Sequence, residues 1–136
     1  MSKKPVFLVL GAGAGIGSNV AKKFAQEGYH AVLARRSDEE GLNKWVNDIK
    51  ETGGEASGRL VNAIEDNAIE ELIADVEKNI GPIEVFLFNL GAQFGDKSLA
   101  DTSLKTFEMG WRLTSLALFR TAKVLAPIME ARGGGK

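Results

Sequence analysis

The sequence predicts an α/β fold, a doubly wound parallel sheet with helices on both faces, formed by a single domain over residues 1–136. Short apolar runs alternate with amphipathic segments in the order βαβαβαβα, which is typical of a parallel sheet with right-handed crossovers. The composition, with 44% hydrophobic and 26% charged residues, allows a buried core in a chain of this length.

The first two strands and helices have the clearest signals. Val6 to Leu10 is a continuous apolar run that ends at a glycine, as expected for a strand buried on both faces. The helix behind it ends near Gly28, and a second strand follows at Ala31 to Ala34. The sequence SDEE, from Ser37 to Glu40, has the spacing of a capping box and predicts the start of the second helix. The apolar stripes of these two helices are Val20, Ala21, Phe24 and Ala25, then Leu42, Trp45, Val46 and Ile49.

The second half of the chain continues the alternation. We expect a third strand at Arg59 to Ile64, a third helix that Gly81 and Pro82 end, and a fourth strand at Val85 to Phe88. A long helix from about Ser103 to Ala131 follows, and Pro127 is expected to kink or end it. Three aromatic residues fall on helical stripes, where packing is expected: Trp45, Phe107 and Trp111.

Composition excludes several classes of function. The 17 basic and 18 acidic residues give a net charge of −1, so there is no basic excess for binding nucleic acid. With no cysteine and one histidine, His30, we expect no disulfide and no metal site. The N-terminus has no signal-peptide pattern and no membrane segment is indicated, so a cytoplasmic location is expected.

The stretch LVLGAGAGIGSNVAKKF places a glycine-rich turn between the first strand and the first helix. At the carboxyl edge of a doubly wound sheet, such a turn lets a phosphate approach the helix N-terminus because no β-carbon blocks it. The alternative is a flexible turn with surplus glycine. The spacing GxGxxG fails, since its third glycine would fall on Ile16 or Ser18, whereas GxxxGxG fits Gly11, Gly15 and Gly17.

This glycine pattern resembles that of the short-chain dehydrogenase/reductase family, and the resemblance extends over essentially the whole chain. It implies a Rossmann-like sheet, truncated after the fourth strand and its following helix, that binds a nicotinamide dinucleotide. The implied contacts in the glycine turn are Gly11, Gly13, Ala14, Gly15, Ile16 and Gly17.

The same resemblance implies cofactor contacts after the other strands. Arg35 and Arg36 stand where NAD-preferring members have an acid, so NADP(H) is expected rather than NAD(H), unless both arginines are ordinary solvated residues. In LVNAIED, the resemblance places Asn62 and Ala63 near adenine, where the Asn62 amide oxygen can accept a hydrogen bond from the adenine amine. In FLFNLGAQ, it places Asn89 and Gly91 near a ribose, with Phe88 and Leu90 replacing the usual asparagine and alanine.

The departures from the family affect catalysis. Thr114, followed by Ser115, stands where the family has an asparagine in the long helix, and the stretch FEMGWRLTSLALF resembles an atypical branch of the family. The family serine and tyrosine-x-x-x-lysine motif are not found, because Tyr29 is the only tyrosine and no lysine lies four residues beyond it. We therefore assign no catalytic residue.

The resemblance thus implies the cofactor-binding part of an NADP(H)-dependent oxidoreductase that interconverts an alcohol and a carbonyl. We expect the reading frame to continue beyond Lys136 into a fifth strand and a helix with the tyrosine and lysine. The alternative is a non-catalytic dinucleotide-binding or protein-interaction domain. We also expect self-association through the open edge of the fourth strand and the apolar long helix. Ala92 to Asp101 is expected to form one wall of a substrate site.

Overall fold

The computed structural model describes residues 3–91 and 97–136, and its centre is a four-stranded parallel sheet. The spatial order is β3-β2-β1-β4, so the chain moves outward from β1 to β3 and then crosses to the other side of β1. All three neighbouring pairs are parallel. The strands are β1 (Val6–Leu10), β2 (His30–Arg35), β3 (Glu55–Leu60) and β4 (Ile83–Phe88). The predicted fold class is confirmed.

Helices cover both faces of this sheet. On one face, Phe7 and Val9 of β1 pack with residues of α1 and α2; on the other, Val6, Leu8 and Leu10 pack with residues of α3 and α5. This alternation has the period of two that a strand imposes, and it explains why every residue of β1 is buried. The helices are α1 (Ile16–Gln26), α2 (Glu39–Glu51), α3 (Ala68–Asn79), α4 (Leu104–Trp111) and α5 (Ala117–Ala131).

The third strand lies earlier in the chain than the sequence indicates. We expected Arg59 to Ile64, but β3 spans Glu55–Leu60, and residues 61–64 belong to the connection to α3. The strand forms the edge of the sheet, and Ala56 is its one buried residue. An edge strand with so few apolar residues has no hydrophobic run, so the apolar residues just after it gave a misleading signal.

The start of α2 also differs by one residue from the expectation. The predicted capping box places the cap at Ser37, whereas the cap is Asp38, whose carboxylate accepts a hydrogen bond from the Gly41 N–H at 3.0 Å. Aspartate caps a helix as well as serine does, so the sequence SDEE permits both positions.

The long helix is interrupted, but not at Pro127. The α5 helix continues through Pro127 to Ala131. The interruption is a π-helical turn, Arg112–Leu116, which joins α4 to α5 and in which the Ala117 N–H bonds to the Arg112 carbonyl five residues back. The packing expected for Phe107 and Trp111 is wrong, since their exposed fractions are 71% and 49%. Trp45, in contrast, packs against the core on the α1 and α2 face.

The C-terminal residue lies beside the outer edge of β4. The Lys136 N–H donates to the Glu84 carbonyl and the Phe86 N–H donates to the Lys136 carbonyl, both at 2.9 Å. This is the hydrogen-bond pattern of a parallel pair. Arg132 holds the end of α5 in place by a two-pronged ion pair with Glu77, with N–O distances of 2.7 and 2.8 Å.

Candidate functional site

A cavity of about 270 Å³ opens where the carboxyl ends of β1, β2 and β4 meet. This is the point at which the strand order reverses, and ligands of doubly wound sheets bind there. Six residues that the sequence analysis selected line the cavity: Gly11, Gly13, Arg35, Arg36, Asn89 and Gly91. Three further lining residues were not predicted, although each is a direct neighbour of a predicted one: Ala12, Ser37 and Leu90.

Two of the glycines are required by close backbone packing. Gly11 has φ +102°, and a β-carbon there would overlap the carbonyl group of Asn89. A β-carbon on Gly17 would lie 2.7 Å from the Gly11 carbonyl oxygen and 2.9 Å from the Ala12 Cα. These glycines therefore let the turn pack against both β4 and the first turn of α1.

The other two glycines of the turn face open space. A β-carbon on Gly13 or Gly15 would meet no atom of the described residues within 4 Å. Gly15 is also the N-cap of α1, so no side chain caps this helix, and its first turn contains no acidic residue. The positive end of the α1 dipole is thus available to an anion. Ala14, Gly15 and Ile16 are exposed at this helix start but do not line the cavity.

Two guanidinium groups border the cavity at the end of β2. The Arg35 side chain is 24% exposed, and its Nη1 lies 3.2 Å from Oδ2 of Asp38. Arg36 is exposed and makes no ion pair with any residue that the structure describes. A planar guanidinium presents paired N–H donors, which match the geometry of a phosphate group.

Asn62 and Ala63 do not line this cavity. Their loop follows β3 and is held beside β2 by a hydrogen bond from the Val61 N–H to the Arg35 carbonyl at 2.8 Å. Asn62 donates to Glu65 at 3.2 Å, and its amide oxygen accepts the Ile64 N–H at 3.4 Å. The amide oxygen expected to accept from adenine therefore already has a local partner.

Arg120 of α5 was not predicted, yet it holds this loop in place. Its guanidinium donates to the carbonyls of Ala63 at 2.9 Å and Glu65 at 3.0 Å, and to both carboxylate oxygens of Glu70. The hydrogen bonds from Arg120 hold the pKa of Glu70 below its usual range, and those to Glu70 raise the pKa of Arg120. At least 50 positions separate Arg120 from each of these partners, so local sequence patterns contain no signal for the contact.

A second, apolar cavity of about 370 Å³ lies along α4 and the π-helical turn. Thr114 and Ser115 line it, and the Thr114 hydroxyl donates to the Gly110 carbonyl at 2.7 Å. Residues 92–96 of the expected substrate wall lie outside the described residues. Tyr29 precedes β2 at the amino ends of the strands, away from the cavity at their carboxyl ends. Its ring makes a T-shaped contact with Phe24, with centroids 5.2 Å apart.

A further cavity, of about 920 Å³, is a groove on α2 with acidic walls. Its carboxylates would repel phosphate, so its size does not make it the better candidate.

Within residues 3–91 and 97–136, no group of three or more acidic or histidine side chains is arranged to hold a metal ion. No helix in those ranges has the length and apolar composition needed to cross a membrane.

Comparison with known proteins identifies a family and relatives that this chain resembles. The family model described as short chain dehydrogenase matches residues 5–136. The 7alpha-hydroxysteroid dehydrogenase of Escherichia coli K12 is 27% identical, with 94% of this chain and 49% of the relative aligned. The chain therefore spans about half the length of this curated relative.

Solved structures give the same result. The L-sorbose reductase of Gluconobacter frateurii, complexed with NADPH and L-sorbose, is 28% identical with a TM-score of 0.87, and the match covers 99% of this chain and 51% of the reductase. A metagenomic short-chain oxidoreductase in complex with NADP is 26% identical with a TM-score of 0.91, covering 98% and 60% of the two chains.

Proposed function

Because the chain belongs to the short-chain dehydrogenase family, we propose that it is the NADP(H)-binding part of an oxidoreductase that interconverts an alcohol and a carbonyl. The observation that supports this most directly is the cavity at the carboxyl ends of β1, β2 and β4, bordered by a glycine turn and two arginines. The nicotinamide would supply hydride exchange with the substrate. The residues of this chain bind and orient the dinucleotide.

The pyrophosphate fits the start of α1. Gly13 and Gly15 leave the space, and the first N–H groups of α1, which no side chain caps, provide donors for an anion, although the Ser18 N–H already bonds to the Gly13 carbonyl at 3.2 Å. Gly11 and Gly17 keep the turn close to β4, so a phosphate can reach the helix end without meeting a side chain. Ala14 and Ile16 would contact the dinucleotide from the exposed side of the turn.

The 2′-phosphate fits Arg35 and Arg36. Both border the cavity, and a charge-assisted hydrogen bond from each would favour a phosphorylated ribose over an unphosphorylated one. Two of the similar solved structures, the L-sorbose reductase and the metagenomic oxidoreductase, are complexes with NADPH and NADP, which supports a preference for the phosphorylated dinucleotide.

The remaining contacts involve the other strand ends. Asn62 and Ala63 would border the adenine ring, and Asn89 and Gly91 the second ribose. For Asn62 to accept from adenine, its amide oxygen must share or give up the Ile64 N–H. The contact from Asn62 is therefore the weakest part of the proposed site.

Catalysis needs groups that we do not find in these 136 residues. The family reaction uses a tyrosine as general acid or base with a lysine one helical turn away. Tyr29 lies at the amino ends of the strands, on the side of the sheet away from the cavity, and the residue four positions after it is Leu33 rather than a lysine. We therefore expect this chain to bind cofactor without turning over an alcohol or a carbonyl.

Calorimetric titration of the chain with NADPH and with NADH, at one fixed salt concentration, tests the proposal. We expect NADPH to bind more tightly, and Arg36→Ala to weaken NADPH by roughly 10- to 100-fold, the equivalent of ~1.5 to 3 kcal/mol. NADH affinity should change little. Arg112→Ala is the matched control, because Arg112 is an exposed arginine whose side chain pairs with Glu108 and does not line the cavity. Equal affinities for both dinucleotides, or full NADPH affinity in Arg36→Ala, would refute the cofactor assignment.

A further inference from the structure

Asp38 carries two interactions with a single carboxylate. Its Oδ1 accepts the Gly41 N–H at 3.0 Å, which caps α2, and its Oδ2 lies 3.2 Å from Nη1 of Arg35. The carboxylate thus bridges the start of α2 and one of the two arginines that border the cavity. Helix capping alone requires only the first of these contacts.

The local backbone is adapted to this placement. Asp38 has φ +63° and ψ +68°, a left-handed conformation that is uncommon for residues other than glycine, although aspartate and asparagine tolerate it. Gly41 lies at the third position of α2, where a β-carbon would overlap the Asp38 carboxylate. Glycine inside a helix is normally unfavourable, and at this position it leaves room for the carboxylate. The left-handed backbone of Asp38 and the glycine inside α2 are both locally unfavourable, and together they allow the Asp38 carboxylate to lie at this position.

That charge lies where a 2′-phosphate would compete with it. Arg35 is the less exposed of the two arginines and already has an anionic partner, while Arg36 has none among the residues that the structure describes. A phosphate that binds both guanidiniums must displace the Asp38 carboxylate from Arg35 or accept a nearby like charge. A dinucleotide with an unphosphorylated ribose needs neither to displace Asp38 nor to bind beside a like charge.

We propose that Asp38 is a specificity-determining residue that lowers the preference of the site for NADP(H) over NAD(H), by pairing with the guanidinium that the 2′-phosphate needs. The proposal rests on the proposed function, since it presupposes that the cavity binds these dinucleotides. It assigns Arg36 the constant contact with the phosphate and Arg35 a contact that the phosphate gains only by displacing Asp38.

Asp38→Asn is the most conservative test. Asparagine caps a helix as well as aspartate does and tolerates the left-handed conformation, so the substitution removes the charge with little change in shape. We expect NADPH to bind about 3- to 10-fold more tightly, in line with the modest strength of a partly exposed ion pair and the loss of a like charge. NADH affinity should stay within about twofold. A merely structural role would change both affinities in parallel.

Two further variants make the result specific. Glu39→Gln removes the same charge one residue along, in the first turn of α2, and should leave the NADPH to NADH ratio unchanged. Asp38→Gly removes the carboxylate with a residue that favours positive φ and caps nearly as well, so it should reproduce the effect of Asp38→Asn. At about 1 M salt, where the Debye length is about 3 Å, the difference between wild type and Asp38→Asn should shrink.

The outcomes separate this inference from the proposed function. If the wild-type chain binds neither NADPH nor NADH, the proposed function fails and the role of Asp38 fails with it. If the wild type binds both dinucleotides and Asp38→Asn and Asp38→Gly leave their ratio unchanged or lower it, Asp38 does not set the preference, although the site assignment stands. A selective gain for NADPH in both variants, absent in Glu39→Gln, supports the proposal.

Discussion

The side-chain amide of Asn89, just after β4, donates a hydrogen bond to the backbone carbonyl of Gly11, just after β1, over 3.0 Å. The Asn89 N–H also donates to the Leu10 carbonyl at 2.9 Å. Residues that are 78 positions apart in sequence thus fix the shape of the glycine turn from the neighbouring strand. The glycine turn of the candidate cofactor site is therefore held in place by residues that follow both β1 and β4.

Removing the donor of this bond should destabilise the turn. Asn89→Ala should lower the free energy of unfolding by about 1 kcal/mol, the usual value for one net hydrogen bond. Asn89→Asp should cost more, because an ionised carboxylate cannot donate and would face the carbonyl oxygen of Gly11. Urea unfolding of the three proteins at neutral pH measures both differences. Equal stabilities for the alanine and aspartate variants would contradict this role of the amide.

The two kinds of glycine in the turn should respond differently to an added methyl group. Gly11→Ala should destabilise the fold by about 1–3 kcal/mol, because the backbone has positive φ and the methyl group overlaps the Asn89 carbonyl. Gly13→Ala should change stability by about 0.5 kcal/mol or less, since its methyl group meets open space. It should nevertheless weaken NADPH by about tenfold, as a β-carbon then stands in the cavity.

Urea unfolding and calorimetric titration of both variants separate the two effects. The Gly13 variant serves as the control for stability, and the wild-type chain serves for binding. A Gly13→Ala protein that binds NADPH as tightly as the wild type would mean that the dinucleotide does not approach this side of the turn.

The sequence predicted those parts of the fold that local patterns specify. The bounds of β1 were predicted correctly because a strand buried on both faces is a continuous apolar run. β3 was misplaced because Glu55–Leu60 is an edge strand with little to bury. The exposure of Phe107 and Trp111 could not be predicted, because a helical stripe does not reveal whether another element covers it.

The same distinction applies to the candidate site. Its glycine turn was predicted because ligands of doubly wound sheets bind at the carboxyl ends of the strands, and its arginines because the family resemblance implies a cofactor contact after the second strand. The Arg120 contacts with Ala63 and Glu65, and the Arg35–Asp38 pair, depend on side-chain geometry that residue spacing does not encode.

Arg120 should contribute more to stability than an exposed arginine does. Arg120→Met keeps the aliphatic stem but leaves the Ala63 and Glu65 carbonyls and the Glu70 carboxylate without their donor, so we expect a loss of about 1–3 kcal/mol. Arg112→Met is the control, because the exposed pair with Glu108 should be worth about 0.5 kcal/mol or less. Urea unfolding provides both values. A loss in the Arg120 variant no larger than in the control would show that the loop does not depend on the guanidinium.

Stability should fall in acid partly through Glu70. Hydrogen bonds from Arg120 lower the pKa of Glu70 in the folded state, relative to about 4.3 in an unfolded chain. The ionised carboxylate therefore stabilises the fold above that unfolded value, and the stabilisation is lost as pH falls through the lower folded-state pKa. Glu70→Gln should reduce the difference in unfolding free energy between neutral pH and about pH 3. An unchanged difference would exclude Glu70 as a contributor.

The exposed aromatic residues of α4 and α5 should promote self-association. Phe107 and Phe119 are 71% and 61% exposed, and large exposed apolar side chains on adjoining helices favour contacts between copies. Replacing both by lysine should lower the mass found by light scattering at tens of micromolar, roughly the range in which weak contacts are measurable. Ala74→Lys, on the exposed side of α3, adds a lysine without removing an aromatic ring and should have no effect. A wild-type chain that is monomeric under these conditions would contradict the expectation.

The π-helical turn at Arg112–Leu116 determines the direction in which the α4 side chains point relative to those of α5, because it contains an additional residue. Such a turn accommodates one residue more than an α-helical turn, and each residue of an α-helix advances the side-chain direction by about 100°. The faces of α4 and α5 are therefore out of phase by about that angle compared with an unbroken helix. A deletion of one residue within the turn would restore continuous α-helical hydrogen bonding and swing Phe107 and Trp111 around the helix axis, whereas a substitution at the same place would not. In this segment, the length of the chain is as much a determinant of which side chains face the solvent as their chemistry is.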